Sequence, residues 1–288
     1  AVLAQSIGGG GGVGGSGTAW GLETSLSVGG QGGTGGDAGV VTLSAKGNDD
    51  PIDKSAFVVA GIPDDLGNQF EVVTAGAYAT GLMAQSIGGG GGASGNATSK
   101  GANVMFGLSV NVGRNGPGGG DGNTVAVESD FDIFAAGENA RGIVGHSIGG
   151  GGGRGGSATS DQVNIEIPSS EIPNLFANLS MGGIGGDGGN SGSVNLINGG
   201  VVATGGGSAI GILGQSIAGG GGDAGSVSNW NRFANIPSNT PGWGIQMSVG
   251  LGRSGGDGGN AGAVTVINGY GGDTGNPHGG LVLTDGNN

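Results

Sequence analysis

The stretch Ala84-Gln85-Ser86-Ile87-Gly88-Gly89-Gly90-Gly91-Gly92 decides the architecture, because it comes back. It recurs as Ala4-Gln5-Ser6-Ile7 with five Gly, as Gly145-His146-Ser147-Ile148 with five Gly, and as Gly214-Gln215-Ser216-Ile217 followed by Ala218 and four Gly. The Ile positions 7, 87, 148 and 217 lie 80, 61 and 69 residues apart. A motif that returns at intervals of tens of residues marks a repeat architecture, in which each unit buries its apolar face only by stacking on its neighbours.

Between the copies lies a second pattern, an alternating strand that empties into another glycine run. The alternating sets are Trp20, Leu22, Thr24, Leu26, Val28; Phe106, Leu108, Val110, Val112; Leu175, Ala177, Leu179, Met181; and Trp243, Ile245, Met247, Val249. Spacing of two places each set on one face of a strand. That apolar face is expected to turn toward the core, with Trp20 and Trp243 in it. After the second glycine run come Val40–Leu43, Val125–Val127, Val194–Ile197 and Val264–Ile267, and the third copy continues through Val201-Val202-Ala203-Thr204 and Ala209–Leu213. A unit of about three short strands joined by Gly and Asn corners is the grammar of a β-solenoid, a parallel β-helix. Residues 1–288 are therefore expected to form one array of four imperfect repeats of about 61–80 residues. Residues 46–70 and 161–174 read as inserts of turn-forming composition, the kind that map to loops. The tail from Val282 to Asn288 runs in phase with the head, so the chain is expected to be a window on a longer array.

Composition agrees with extended structure. Gly supplies 80 of 288 residues, against 8 Pro and 4% aromatics. Each interior Gly costs a helix roughly 1 kcal/mol relative to Ala, which disfavours helices. Cys is absent, which excludes disulfides, thiolate metal sites and cysteine nucleophiles. The net charge of −13 argues against nucleic acid, whose phosphates demand clustered cations. No apolar run approaches the ~18 residues of a spanning helix, so this segment is not expected to enter a membrane.

The glycine runs pose the main physical question, since Gly loses the most backbone entropy on ordering. Flexible loops are one reading. The period of three in Gly29-Gly30-Gln31-Gly32-Gly33-Thr34-Gly35-Gly36 instead matches polyproline II, which has three residues per turn. Eight such segments, two per repeat, can pack side by side and pair their N–H and C=O groups.

Candidate chemistry is sparse. Gln5, Gln85, His146 and Gln215 share one repeat position beside Ser6, Ser86, Ser147 and Ser216, so stacking predicts polar ladders. His146 beside Ser147 suggests a base and a nucleophile, but adjacent strand residues face opposite sides, and catalysis is not expected. His278 reads as a turn residue. Asp37, Asp121, Asp187 and Asp257 sit in the glycine runs, and Gly182-Gly183-Ile184-Gly185-Gly186-Asp187 resembles the start of a calcium-binding RTX nonapeptide, although no tandem nine-residue repeat follows. An Asx-turn or solvated Asp is the plainer reading. Trp230 falls in a polar stretch apart from the repeat pattern and is a candidate for stacking on a glycan or a neighbouring subunit. No catalytic, cofactor-binding or metal residues are assigned.

The segments Ala79–Gly92 and Ala209–Ile217 resemble the A-x-G-I-x-A-Q-S-I-G-G-G-G-G repeats of large proteobacterial autotransporter passengers, with four copies across nearly the whole chain. The resemblance implies a β-helical passenger exported through a C-terminal barrel and held at the outer membrane. It also implies roles in adhesion, aggregation or biofilm, with a host or neighbouring-cell surface, a glycan or the protein itself as partner through end-to-end or lateral association. A calcium-dependent β-roll and a glycine-rich polyproline-II bundle of tail-fibre or ice-binding type are the alternatives.

Overall fold

The computed structural model describes residues 1–46, 70–168, 173–238, 243–269 and 280–285. Every regular element among them is a strand. The first unit holds β1 (Val2–Ile7), β2 (Gly17–Leu22), β3 (Thr24–Val28), β4 (Val41–Ala45) and β5 (Val72–Ala75). The second holds β6 (Thr80–Ile87), β7 (Ala97–Val104), β8 (Phe106–Val112), β9 (Val125–Ser129) and β10 (Ile133–Ala136). The third holds β11 (Arg141–Ile148), β12 (Ala158–Glu166), β13 (Asn174–Met181), β14 (Val194–Asn198) and β15 (Val201–Gly205). The fourth holds β16 (Ile210–Ile217), β17 (Val227–Asn235), β18 (Gly244–Leu251), β19 (Val264–Asn268) and β20 (Leu281–Asp285).

Equivalent strands pair in parallel from unit to unit, so the units stack. Sheets β1-β6-β11-β16, β4-β9-β14-β19 and β5-β10-β15-β20 have four strands each, and a fourth, eight-stranded sheet collects the β2 and β3 equivalents. In the first sheet Gln5 lies opposite Gln85, Gln85 opposite His146, and His146 opposite Gln215, so the recurring motif is in exact register with itself. Each unit thus contributes five strands where about three were expected.

The four-stranded sheets enclose the apolar core. Leu82, Ile133, Ile143, Leu196 and Val202 are almost wholly buried there, together with Val125, Val127 and Val194. Burying each of the larger side chains contributes about 1.5–3 kcal/mol. The small residues of the motif follow from this packing. A Cβ on Gly142 would lie 2.2 Å from Val202 Cγ1, and one on Gly145 would lie 2.6 Å from Leu196 Cδ2. The corner before each motif repeats as well: Gly76, Gly137 and Gly206 take φ near +120°, and Tyr78, Asn139 and Ser208 take φ near +60°.

Between this core and the eight-stranded sheet stand the glycine runs, which are ordered. In the run after β6, Gly88 N donates to Ile148 O and Gly91 N to Gly151 O of the next unit, while Gly89 N donates to Gly36 O and Gly92 N to Gly33 O of the preceding unit's second run. The run after β11 repeats the scheme, with Gly149 and Gly152 bonding onward to Ile217 and Gly220, and Gly150 and Gly153 bonding across to Gly120 and Pro117. Two of every three residues therefore donate an N–H, and the third only accepts, through its carbonyl. The third position, held by Gly90, Gly151 and Gly220, or by Val13, Ala93, Arg154 and Asp223, points away from the stack.

In the second runs the third position often carries a side chain that accepts the next unit's N–H. Asp37 Oδ1 takes Asp121 N (2.8 Å), Asp121 Oδ1 takes Asn190 N (2.6 Å), Asp187 Oδ1 takes Asp257 N (2.9 Å) and Asn115 Oδ1 takes Ile184 N (3.1 Å). A Cβ on Gly150 would stand 2.0 Å from Gly89 O, whereas one on Gly151 meets nothing closer than Gly220 O at 3.8 Å. Thermal unfolding of the two alanine variants is expected to separate them. Gly151→Ala should stay within ~0.5 kcal/mol of the parent, while Gly150→Ala should lose about 1–3 kcal/mol or more by forcing successive units of its column apart.

Candidate functional site

The eight-stranded sheet is folded back on itself. The chain reverses at Glu23 (φ 72°) between β2 and β3 and at Met105 (φ 62°) between β7 and β8, so the single strand expected across Trp20–Val28 is two. One layer is β2, β7, β12 and β17; the other is β3, β8, β13 and β18. Of the residues 161–174 expected as an insert, 161–166 belong to β12 and Asn174 to β13, while 169–172 lie outside the described residues, and Trp230 lies inside the repeat, on β17 opposite Asp161. Residues 47–69, which hold most of the other expected insert, and His278 lie outside the described residues.

The space between the layers is polar. Ser99, Ser109, Asn111, Ser160, Gln162 and Asn164 are at most 1% exposed. Ser99 Oγ and Ser109 Oγ meet across it at 2.5 Å, Asn111 Nδ2 donates to Ser99 Oγ (2.9 Å), and Asn103 Nδ2 donates to Asn164 Oδ1 (2.8 Å). Asn178 and Asn231 are bonded in the same way. The expected orientation of the alternating strands is therefore reversed. Trp20 is 76% exposed, and Trp243, just ahead of β18, is 50% exposed. The cause is spacing: facing layers close enough for Ser to bond Ser leave little room for Leu or Trp, which turn outward, while Phe176 is buried between the layers with its ring 6.3 Å from that of Phe233.

Two contrasting outer faces result. On the β3, β8, β13, β18 layer, Phe106, Leu108, Val110 and Val112 align with Leu175, Ala177, Leu179 and Met181, and these with Ile245, Met247, Val249 and Leu251. Leu26 and Val28 extend the face on β3, and Thr24 is its one polar position. None of these strand positions is charged, and the Arg253 guanidinium reaches the edge of the face, 2.9 Å from Met181 Sδ.

On the other layer the outward residues are mixed. Trp20, Lys100, Asp161 and Trp230 form one column, beside columns of Thr18, Thr98, Thr159, Ser228 and of Leu22, Ala102, Val163, Arg232. Lys100 Nζ sits 5.5 Å from the centre of the Trp20 ring, and Arg232 Nη2 lies 3.3 Å from Asp161 Oδ1. Tall side chains at either side of Gly101 and Ala102 leave an open groove of about 610 Å³.

The motif residues serve the stack. Gln5 Nε2 donates to Gln85 Oε1 (2.9 Å), and Gln85 Nε2 pairs with His146 Nδ1 (3.1 Å) as the ladder continues. The serines do not bond one another along their column. Each bonds the segment leading into the β4-β9-β14-β19 sheet: Ser86 Oγ donates to Gly39 O and accepts from Asn123 N, and Ser147 Oγ donates to Asn123 O and accepts from Gly192 N, all at 2.8–3.0 Å. Ser216 repeats this with Gly192 O and Gly262 N. Ser147 is buried on one side of β11 and His146 is half-buried on the other, so the two do not form a base and nucleophile. Among the described residues no group of three or more His, Asp or Glu is placed to hold a metal ion. No family model, curated protein or solved structure matches the chain.

Burial, and then the Arg141 guanidinium, hold the His146 imidazole below its ordinary 6.5. The unfolded chain takes up that proton as pH falls through 6.5, while the folded chain resists it, so stability must drop with falling pH below that point. The melting temperature of the parent is expected to decline between pH 7.5 and pH 5.5, and His146→Gln, which completes the glutamine column, should flatten the curve there. Equal slopes for the two proteins would contradict this role for His146. Ser147→Ala strips two bonds from a fully buried position and is expected to cost about 1–3 kcal/mol in denaturant unfolding.

Proposed function

We propose that this chain is a β-solenoid with polyproline-II glycine columns alongside, and that it works as a non-enzymatic structural and adhesive segment of a bacterial surface protein. On this reading it stands outside the cell, tethered to the outer membrane, and promotes attachment, aggregation or biofilm. One observation carries the proposal: the apolar face of β3, β8, β13 and β18, which a charge, Arg253, meets at its edge. Soluble monomers rarely expose contiguous apolar patches beyond a few hundred Å², and larger ones mark interaction sites. At strand spacings of ~4.8 Å and ~3.3 Å per residue, the five residues of β3 and the seven or eight of β8, β13 and β18 cover about 400 Å² in projection.

Further features support the reading. Each unit's backbone is paired to the next, which suits a stiff extended support. The absence of Cys suits export unfolded. The carboxylates of Asp37, Asp121 and Asp187 are engaged by backbone N–H groups, which favours a structural use of them over a calcium-dependent roll. The autotransporter-like motif supports the location.

Beads coated with the full chain are expected to cluster and to adhere to apolar surfaces. Replacing Leu108 and Leu179 together by Lys should suppress both effects without altering the sheet signal in circular dichroism. Beads that neither cluster nor adhere, or that behave identically with the double variant, would overturn the proposal.

A further inference from the structure

We infer that the groove on the β2, β7, β12, β17 layer binds an oligosaccharide bearing carboxylate groups. This inference rests on the attachment reading and names a ligand for a face separate from the apolar one. Three adjacent columns carry it. The central column begins and ends in exposed indole rings, Trp20 (76% exposed) and Trp230 (63% exposed), three strands apart and so about 14 Å from one another. Indole faces carry negative charge density and attract electropositive groups, among them the C–H faces of sugar rings. The Lys100 ammonium already rests 5.5 Å from one of these rings.

Between the rings stand Lys100 and Asp161, and beside them the hydroxyls of Thr98 and Thr159, which offer the paired donors and acceptors that sugar hydroxyls need. The groove floor is Gly101 and Ala102, small enough to let a ring settle against backbone.

Charge selects the class of sugar. The protein carries −13 overall, from 8 Lys plus Arg against 21 Asp plus Glu. Here Lys100 and Arg232 outnumber the single carboxylate, Asp161, to which Arg232 is paired at 3.3 Å. A carboxylate on the ligand would meet Lys100, which lacks a carboxylate partner within salt-bridge distance among the described residues, so an acidic sugar fits better than a neutral one. The strands fix where these side chains start, so binding has to order the side chains of Lys100 and Arg232 but not the backbone that carries them.

The labelled full chain is to be applied to an array of uronic-acid and sialylated oligosaccharides with their neutral counterparts. Binding is expected on carboxylate-bearing probes, weakened about tenfold or more in Trp20→Ala and in Lys100→Gln. Trp243→Ala, on the other layer, should bind as the parent does. Both groove side chains project outward, so melting temperatures should hold and mark any loss as a binding effect. An array silent for every probe, equal binding of neutral and acidic probes, or full binding by both groove variants would overturn the inference. Bead clustering read in parallel separates the two proposals: clustering with a silent array removes the glycan groove alone, whereas absent clustering removes the apolar attachment surface.

Discussion

The structure depends on backbone meeting backbone across the glycine columns. A peptide chain with 80 Gly has little apolar surface to bury, and ordering such a chain costs more entropy than ordering any other. The offset comes from contacts that only Gly permits. Paired runs approach until a Cβ would stand about 2 Å from a neighbouring carbonyl oxygen, as at Gly89, Gly92 and Gly150. At that range two of every three N–H groups find a carbonyl, one in the same column and one in the other. Buried backbone groups must be paired, and here the pairing itself is the packing. Pro117 illustrates the constraint by breaking it. Gly33 and Gly186, its equivalents, donate to Gly12 and Gly153, and Pro has no N–H to give, although its own carbonyl still accepts from Gly153.

The columns then dictate what lies on either side. Toward the four-stranded sheets the chain opens enough to admit Leu82, Ile143 and Leu196, and an ordinary apolar core forms. Toward the eight-stranded sheet the tight reversals at Glu23 and Met105 keep the two layers close, and the interior fills with Ser, Asn and Gln, with Phe176 buried among them. Such a network stabilises only when its members are bonded. Most are, although Asn111 Oδ1 and Asn164 Nδ2 lack partners. The displaced apolar side chains become the surface, so the feature that makes the interior polar also makes the outside apolar.

Repetition was legible in the sequence, since Ala84–Gly92 and its three counterparts announce stacked units, and period three in the glycine runs announces their mode of packing. The in-register ladder of Gln5, Gln85 and His146 follows from the same spacing. What alternation does not reveal is which face is buried. Trp20, Leu22, Leu26 and Val28 alternate with small residues whether they point in or out, and only the separation of the layers decides. The bend at Glu23 was equally hidden, because a non-Gly residue at φ 72° leaves no compositional mark. Val163–Ile167 resembled an insert because Gln162 and Asn164 look like loop residues until the polar interior they serve is known. Trp230 and Trp20 became parts of one column only through the pairing of β2, β7, β12 and β17.

The most direct test of this account is residue-resolved amide hydrogen exchange across Gly88–Gly95 and Gly149–Gly156 of the intact chain. If the columns are bonded as described, protection should follow a period of three: slow at Gly88, Gly89, Gly91 and Gly92, fast at Gly90, and the same at Gly149, Gly150, Gly152 and Gly153 against Gly151. Uniformly fast exchange through both runs would mean that the glycines are loops and that the stack is held some other way.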